Sequence, residues 1–304
     1  MKVAIDFGFG NVKIATSEGK KIKFPTVIKE EMKSVFGEAK PIKYGAKGYY
    51  VGDRALKYGK KALPLLNIDQ LISFVPLILE YIEKEKGISR ENVDGVVSGL
   101  PPSYLKDKEK SLKEAIAQGW EISEKKVVIL PQGTGILLSV EENISDSAFV
   151  LDIGFNTVDW VFAKKEGDTF VVEASGSFPR MGVESIIREL KDELSREIPM
   201  IGTLFSVHEF SHVFEEGKIK IAGKEMELED RIRELVEAYV EDLSRVLEEL
   251  EEMILQSDAL VIGGGGAYVF KSVETERLEK LHGNVIIPNE PEFAQVLGYL
   301  KVLK

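Results

Sequence analysis

The sequence predicts an α/β protein built from two domains of common ancestry, and three observations carry that prediction. Strand-like and helix-like periodicities alternate along all 304 residues, the pattern of α/β architecture. A strand–turn–strand near the N-terminus, AIDFGFGNVKIA, returns in mid-chain as VLDIGFNTVDWVFA. Aligned on their aspartates, Asp6/Asp152, Gly8/Gly154, Phe9/Phe155 and Val12/Val158 coincide, an internal duplication at the scale of half the chain. A third apolar run, ALVIGGGGAYVF, passes into four consecutive glycines, Gly263, Gly264, Gly265 and Gly266.

The elements follow in order. KVAIDFG and NVKIATSEGKKIKFP read as a meander, with Gly19 at a turn and Pro25 ending a strand. Residues 28–66, rich in Gly, Lys and Tyr, read as a small insertion. Residues 68–86 have helical spacing. NVDGVVSGLPP is a buried strand stopped by Pro101 and Pro102, LKDKEKSLKEAIAQG is a helix, and VVILPQG is another strand with a proline stop. After the repeated turn, a helix follows Gly182, then a less regular stretch at 198–227, then one long amphipathic helix over 228–256. The glycine-ended strand at 259–270 and a last helix, PEFAQVLGYLKVL, close the chain. The domains implied are residues 1–140 with 290–304, and residues 147–289.

Composition narrows the function. Hydrophobic residues make up 44% and charged residues 30%, an ordinary globular balance. With no cysteine, disulfides, thiolate metal sites and thiol catalysis are excluded. The net charge of −11 argues against direct contact with nucleic acid. Asp6 interrupts the first apolar run too early for a signal peptide, and the most apolar segment, LPLLNIDQLISFVPLILEYI, carries Asp69, Gln70 and two prolines, so no membrane span is expected. A soluble, cytoplasmic protein is the expectation.

The turns suggest what is bound. Glycines after a strand let backbone N–H groups approach an anion, and Lys13 adds a point charge beside Gly8 and Gly10. Asp6 would repel a phosphate, so its presence makes sense if a cation such as Mg²⁺ bridges the two. Asp152 repeats that logic from the other half. Other phosphate motifs fail, since there is no G-x-x-x-x-G-K-[ST] and neither glycine run completes G-x-G-x-x-G.

Taken together, Asp-x-Gly-x-Gly-x-x-Lys at 6–13, PQG at 131–133, Asp-x-Gly at 152–154, IGGGG at 262–266 and the final helix resemble, in the same order, the nucleotide signature of the actin, sugar-kinase and DnaK-type chaperone superfamily. FP at 24–25, SGLPP, LPQGTG, SFPRMGVESI and FAQVLGY are similar to the plasmid-segregation actin ParM and the archaeal actin-like proteins. The resemblance implies duplicated actin-like (ribonuclease H-like) domains with a nucleotide cleft between them, taking ATP or ADP with Mg²⁺.

Residue by residue, the resemblance places Lys13 on the β- and γ-phosphates and Asp6 and Asp152 on Mg²⁺, mainly through water. It places Gln132 on the attacking water and the glycines at 263–266 on adenosine. Gly8, Phe9, Gly10 and Asn11 would line the nucleotide from the first turn, and Gly154, Phe155, Asn156, Thr157, Asp159 and Gly182 from the second. The second turn departs from the first, with Asn156 in place of Gly10 and Asp159 in place of Lys13. A glutamine orients water but is a poor base, which implies slow turnover. The partners implied are a head-to-tail polymer of the chain itself and a DNA-binding adaptor protein, in plasmid segregation or a cytoskeletal role. A small-molecule kinase and a chaperone-type module stay open as alternatives of the same superfamily.

Two further signals compete. VHEFSHVF contains His208-Glu209-x-x-His212, a literal match to the zinc-protease pattern. It lies in the irregular part of the second half, where His282 or a downstream Glu such as Glu229 could serve as third ligand only as in any acidic chain, and the pair reads as surface or half-buried histidines. The acidic face of 228–256 and the basic stretch 40–61 read as solvated surfaces.

Overall fold

The computed structural model describes residues 1–31, 40–58, 65, 67–271 and 281–303. The chain divides into two compact units, residues 1–139 with 293–304, and residues 140–292.

In the first unit β1 (Lys2–Phe7), β2 (Asn11–Thr16) and β3 (Lys21–Pro25) form the antiparallel meander. Gly19, at φ 83°, takes the left-handed conformation that the β2–β3 turn needs. A separate three-stranded sheet follows, with β4 (Ile28–Glu30), β5 (Ile42–Tyr44) and β6 (Lys47–Val51) in the order β4-β6-β5. Then come α1 (Asp53–Lys57) and α2 (Ile68–Lys86), the latter capped by the Asn67 side chain and ended by Gly87 in the left-handed region. β7 (Gly95–Leu100) is a parallel strand buried throughout, its one polar side chain, Ser98, donating its hydroxyl to the Ile5 carbonyl at 2.7 Å. The two prolines after it stop the strand and start α3 (Pro102–Trp120). β8 (Val127–Pro131) and α4 (Thr134–Ser139) complete the main run.

The main sheet has the order β3-β2-β1-β7-β8. Val3, Ile5 and Phe7 of β1 bury on one side with residues of α2 and α3, while Ala4 and Val97 pack on the other with Val296 and Tyr299. Alternation along β1 therefore covers both faces of the sheet.

The second unit repeats the plan. β9 (Ser147–Ile153), β10 (Thr157–Glu166) and β11 (Thr169–Pro179) form the meander. They are followed by α5 (Glu184–Glu197), α6 (Met200–Leu204), α7 (Val207–Glu216) and a hairpin of β12 (Lys218–Ile221) and β13 (Lys224–Glu227). Next are α8 (Glu229–Leu247), α9 (Glu251–Gln256), β14 (Ala259–Gly263), α10 (Ala267–Lys271) and β15 (Val285–Ile286). The sheet order is β11-β10-β9-β14-β15, a meander flanked by two parallel strands as in the first unit. The last helix, α11 (Pro291–Val302), belongs to the first unit from Phe293 onward.

The single helix expected over 228–256 is in fact two, separated by a 3₁₀ turn at Glu248–Leu250. Glu248, Glu249, Glu251 and Glu252 place like charges three and four residues apart, which weakens a continuous α-helix at that point. The region 198–227 is more regular than its composition suggests, being two short helices and a hairpin. Among the described residues, no helix is long and apolar enough to cross a membrane.

Candidate functional site

Strand register builds the first turn. β1 and β2 pair with Phe7 opposite Val12 and Asp6 opposite Lys13, so the acid and the cation face one another across the ladder. Lys13 Nζ lies 3.0 Å from Asp6 Oδ2, and both side chains are largely buried. Gln132 extends the β7–β8 ladder by one residue, its N–H donating to the Leu100 carbonyl at 2.8 Å. Its side-chain Nε2 then donates to the other Asp6 oxygen, Oδ1, at 3.0 Å. Three predicted residues from two stretches of sequence thus meet at the carboxyl-terminal end of β1, where ligands of α/β sheets bind.

The turn itself is tightly made. A Cβ on Gly8 would stand 2.8 Å from the Asn11 carbonyl oxygen, closer than real Cβ contacts come. From the third strand side, the Thr26 hydroxyl donates to the Gly8 carbonyl at 2.6 Å and the Thr26 N–H to the Gly10 carbonyl at 3.0 Å. Phe9 and Asn11 are half-buried and Gly10 is buried. Thr26 is a support that the sequence reading missed; its only signal was its position directly after FP.

Gln295 is a second missed residue. Gly133, at φ 92°, bends the chain directly after Gln132. Its N–H donates to Gln295 Oε1 at 3.2 Å, and the Ile136 N–H donates to the same oxygen at 3.1 Å. Gln295, 2% exposed on α11, thereby satisfies two N–H groups at the start of α4. Close approach makes this possible, since a Cβ on Gly298 would fall 1.8 Å from the Gly135 carbonyl oxygen. The Tyr299 hydroxyl accepts from Gln295 Nε2. Nothing local in FAQVLGY announces a partner so distant in sequence.

The second turn has the same register, Ile153 opposite Val158 and Asp152 opposite Asp159. The Gly154 N–H donates to the Thr157 carbonyl at 2.9 Å, and the Thr157 hydroxyl donates to Asp159 Oδ2 at 3.0 Å. The segment opening α5 is joined to this turn by backbone hydrogen bonds. Gly182 N–H donates to the Asn156 carbonyl, Val183 N–H to Gly154 and Glu184 N–H to Phe155, at 3.2, 3.1 and 2.8 Å. A Cβ on Gly182 would sit 2.2 Å from the Phe155 oxygen, so only glycine fits. The Tyr239 hydroxyl anchors the same segment, donating to the Met181 carbonyl at 2.8 Å, and its burial raises the phenol's pKa.

The tetraglycine run joins this turn. Gly263 is the register partner of Asp152. A Cβ on Gly264, at φ +81°, would meet Asp152 Oδ1 at 2.4 Å, and the Gly266 N–H donates to the Ile153 carbonyl at 2.8 Å. Gly265 has no atom within 4 Å of its Cβ position and faces open space. Every predicted residue of the second half, from Asp152 to Gly266, is therefore gathered around one strand end.

The zinc pattern is put to other uses. Glu209 closes a capping box with Ser206 at the start of α7, its carboxylate accepting from the Ser206 N–H and hydroxyl. The His208 ring packs on Phe155 with centroids 4.6 Å apart. Among the described residues, no group of three or more His, Asp or Glu is placed to hold a metal ion.

Comparison with known proteins gives this geometry a family. No curated protein matches the chain by sequence. Among solved structures, an archaeal actin homologue in complex with ADP superposes with a TM-score of 0.77 at 21% identity, covering 100% of this chain and 99% of that one. A 15-stranded ParM filament from Clostridium botulinum gives 0.74 at 19% identity, covering 99% and 98%. MreB 5 of Spiroplasma citri bound to AMPPNP gives 0.70 at 15% identity, covering 100% and 95%. The model of the actin-like protein N-terminal domain matches residues 4–135, and that of the archaeal actin homologue MreB-like C-terminal domain matches residues 150–275. With both turns inside those matches, the chain belongs to the actin-like proteins.

Proposed function

We propose that the chain is an actin-like ATPase that binds ATP with Mg²⁺ through its two turns, hydrolyses it slowly and assembles head to tail into filaments. The observation that carries this reading is the meeting of Asp6, Lys13 and Gln132 at one strand end. A buried ammonium beside a glycine turn suits a polyphosphate, and carboxylates of Asp6 and Asp152 suit a hard oxygen-seeking cation. Both Asp6 oxygens already accept hydrogen bonds, so it would hold Mg²⁺ through water. Bound Mg²⁺ supplies charge neutralisation.

The chain's own residues do the rest. Lys13 faces the β- and γ-phosphates, with the backbone of Gly8, Phe9, Gly10 and Asn11 around them. Gly154, Phe155, Asn156, Thr157, Asp159 and Gly182 approach from the second turn, and Gly263 to Gly266 approach adenosine, with Gly265 open to it. Gln132 commits its Nε2 to Asp6, which leaves its amide oxygen to accept from a water and orient it. An amide removes no proton, so turnover is slow.

Solved relatives of the same fold carry ADP or AMPPNP, and others are filaments, which supports nucleotide binding and self-association here. The role we infer is cytoplasmic, either cytoskeletal or in plasmid or DNA segregation through an adaptor protein. The test is phosphate release and pelleting of the purified chain with ATP and Mg²⁺, beside the same assays with added sugars. Sugar-independent release with nucleotide-triggered pelleting is expected. A rate that appears only with a sugar would make it a kinase instead, and no ATP binding at millimolar concentration would refute the reading.

A further inference from the structure

We propose that Arg180 gives the second turn the cation that Lys13 gives the first, its guanidinium contacting the phosphate tail of the bound nucleotide. The proposal rests on the nucleotide reading above and adds a binding residue to it. In the first turn Lys13 stands opposite Asp6, but in the second Asp159 stands opposite Asp152. The surroundings deepen that deficit. Residues 140–292 carry 15 Lys and Arg against 34 Asp and Glu, a net −19. Such a field repels a polyphosphate unless a cation stands at the point of contact.

Backbone conformation singles Arg180 out. Among the described residues three that are not glycine have a positive φ, Glu121 at 55°, Arg180 at 64° and Ala222 at 50°. Glu121 follows α3, where the left-handed conformation is a common way to end a helix. Ala222 and Gly223 form the two-residue loop between Ile221 and Lys224, and a tight β-hairpin needs left-handed residues there. Arg180 does neither. It is held in place by its neighbours, with Pro179 in register opposite Thr157 and the Met181 carbonyl accepting from the Tyr239 hydroxyl. The Gly182 N–H then donates to the Asn156 carbonyl. Glycine would take this conformation without strain, and arginine does not. Strain of this kind gathers at ligand-binding sites, where the chemistry of the side chain outweighs its cost.

The side chain is available for such a contact. Arg188, Arg231, Arg233 and Arg245 of the same unit each pair with a carboxylate. Arg180 is exposed and makes no hydrogen bond or ion pair among the described residues, although acids outnumber bases around it by two to one. Met181, the next residue, packs on the core of the unit. The ties at Thr157 and Asn156 set Arg180 beside two residues of the turn that the nucleotide reading uses. A guanidinium offers a planar fork of donors that matches phosphate oxygens and keeps its charge at any working pH.

The test is nucleotide binding by the full chain carrying Arg180→Gln or Arg180→Gly, with Mg²⁺ present. Calorimetry reads the affinity for ATP, and adenosine is measured as its competitor. ATP should bind both variants at least about tenfold more weakly, the loss of one charge-assisted contact. Adenosine has no phosphate and should bind both as it binds the wild type. The urea midpoint of the nucleotide-free Arg180→Gly chain should equal or exceed that of the wild type, because the strain is relieved. A residue that only shaped the segment would move ATP and adenosine together and would not separate affinity from stability. Wild-type ATP affinity in both variants, or a parallel loss of adenosine, overturns the proposal and leaves the nucleotide reading standing. A wild-type chain that binds no ATP would instead bring down that reading, and this contact with it.

Discussion

Across the first strand pair Asp6 faces Lys13; across the second, at the same register, Asp152 faces Asp159. The backbone is alike in both, a four-residue turn entered behind an acid and left at a valine. The supports differ. Side chains from outside the meander's first pair, Thr26 and Gln132, hold the first turn, whereas the backbone of Gly182, Val183 and Glu184 holds the second. Duplication has kept the geometry and let the charge diverge. One turn offers an anion a buried cation, while the other sets two carboxylates together, which suits a cation.

Breaking the first turn should cost most. Asp6→Ala removes the shared acceptor of Lys13 and Gln132, and phosphate release should fall about 10²–10³-fold, the range for losing a preorganised electrostatic group. Equal loss from Asp159→Ala would contradict the proposed asymmetry. Next, Gln132→Ala should slow single-turnover hydrolysis by about 10–100-fold with ATP affinity nearly unchanged, since it positions water rather than nucleotide. Full activity in that variant would remove the residue from the mechanism.

Support for the turn comes third. Gln295→Met keeps the volume but leaves the Gly133 and Ile136 N–H groups buried without their acceptor. It should lower stability by about 1–3 kcal/mol, read as a urea midpoint. It should also slow wild-type hydrolysis while adding nothing in a Gln132→Ala background, as expected of a residue acting through Gln132. A smaller effect is expected at the second turn, where His208→Ala removes one ring contact with Phe155 and should cost about 0.5–1.5 kcal/mol. Stoichiometric zinc in the purified chain would reopen the histidine motif. Least of all, Asp159→Asn relieves a like-charge pair yet can keep the Thr157 bond, and should raise stability by about 0.2–1 kcal/mol.

The legible part of this fold was periodic or repeated. The burial of β7, the proline start of α3 and the twin turns are visible in the sequence because each depends on local chemistry. The grouping of Asp6 with Lys13 follows from strand register, once the turn length is known. Gln295 and Thr26 were not legible, because their partners are backbone groups 162 and 18 residues away and backbone carries no sequence signal. The break in the helix at 248–250 was hidden by an apolar stripe that continues through it, while the repulsion that causes it lies on the opposite face. His-Glu-x-x-His misleads for a related reason, since a capping glutamate and a catalytic one look the same in a short pattern.

The most direct measurement is amide hydrogen exchange of the full chain with and without ATP and Mg²⁺. One nucleotide gripped by both turns predicts slowed exchange at residues 8–11 and 154–157 together, saturating at one equivalent of ATP. Protection of one turn alone, or of neither at saturating ATP, would contradict the account.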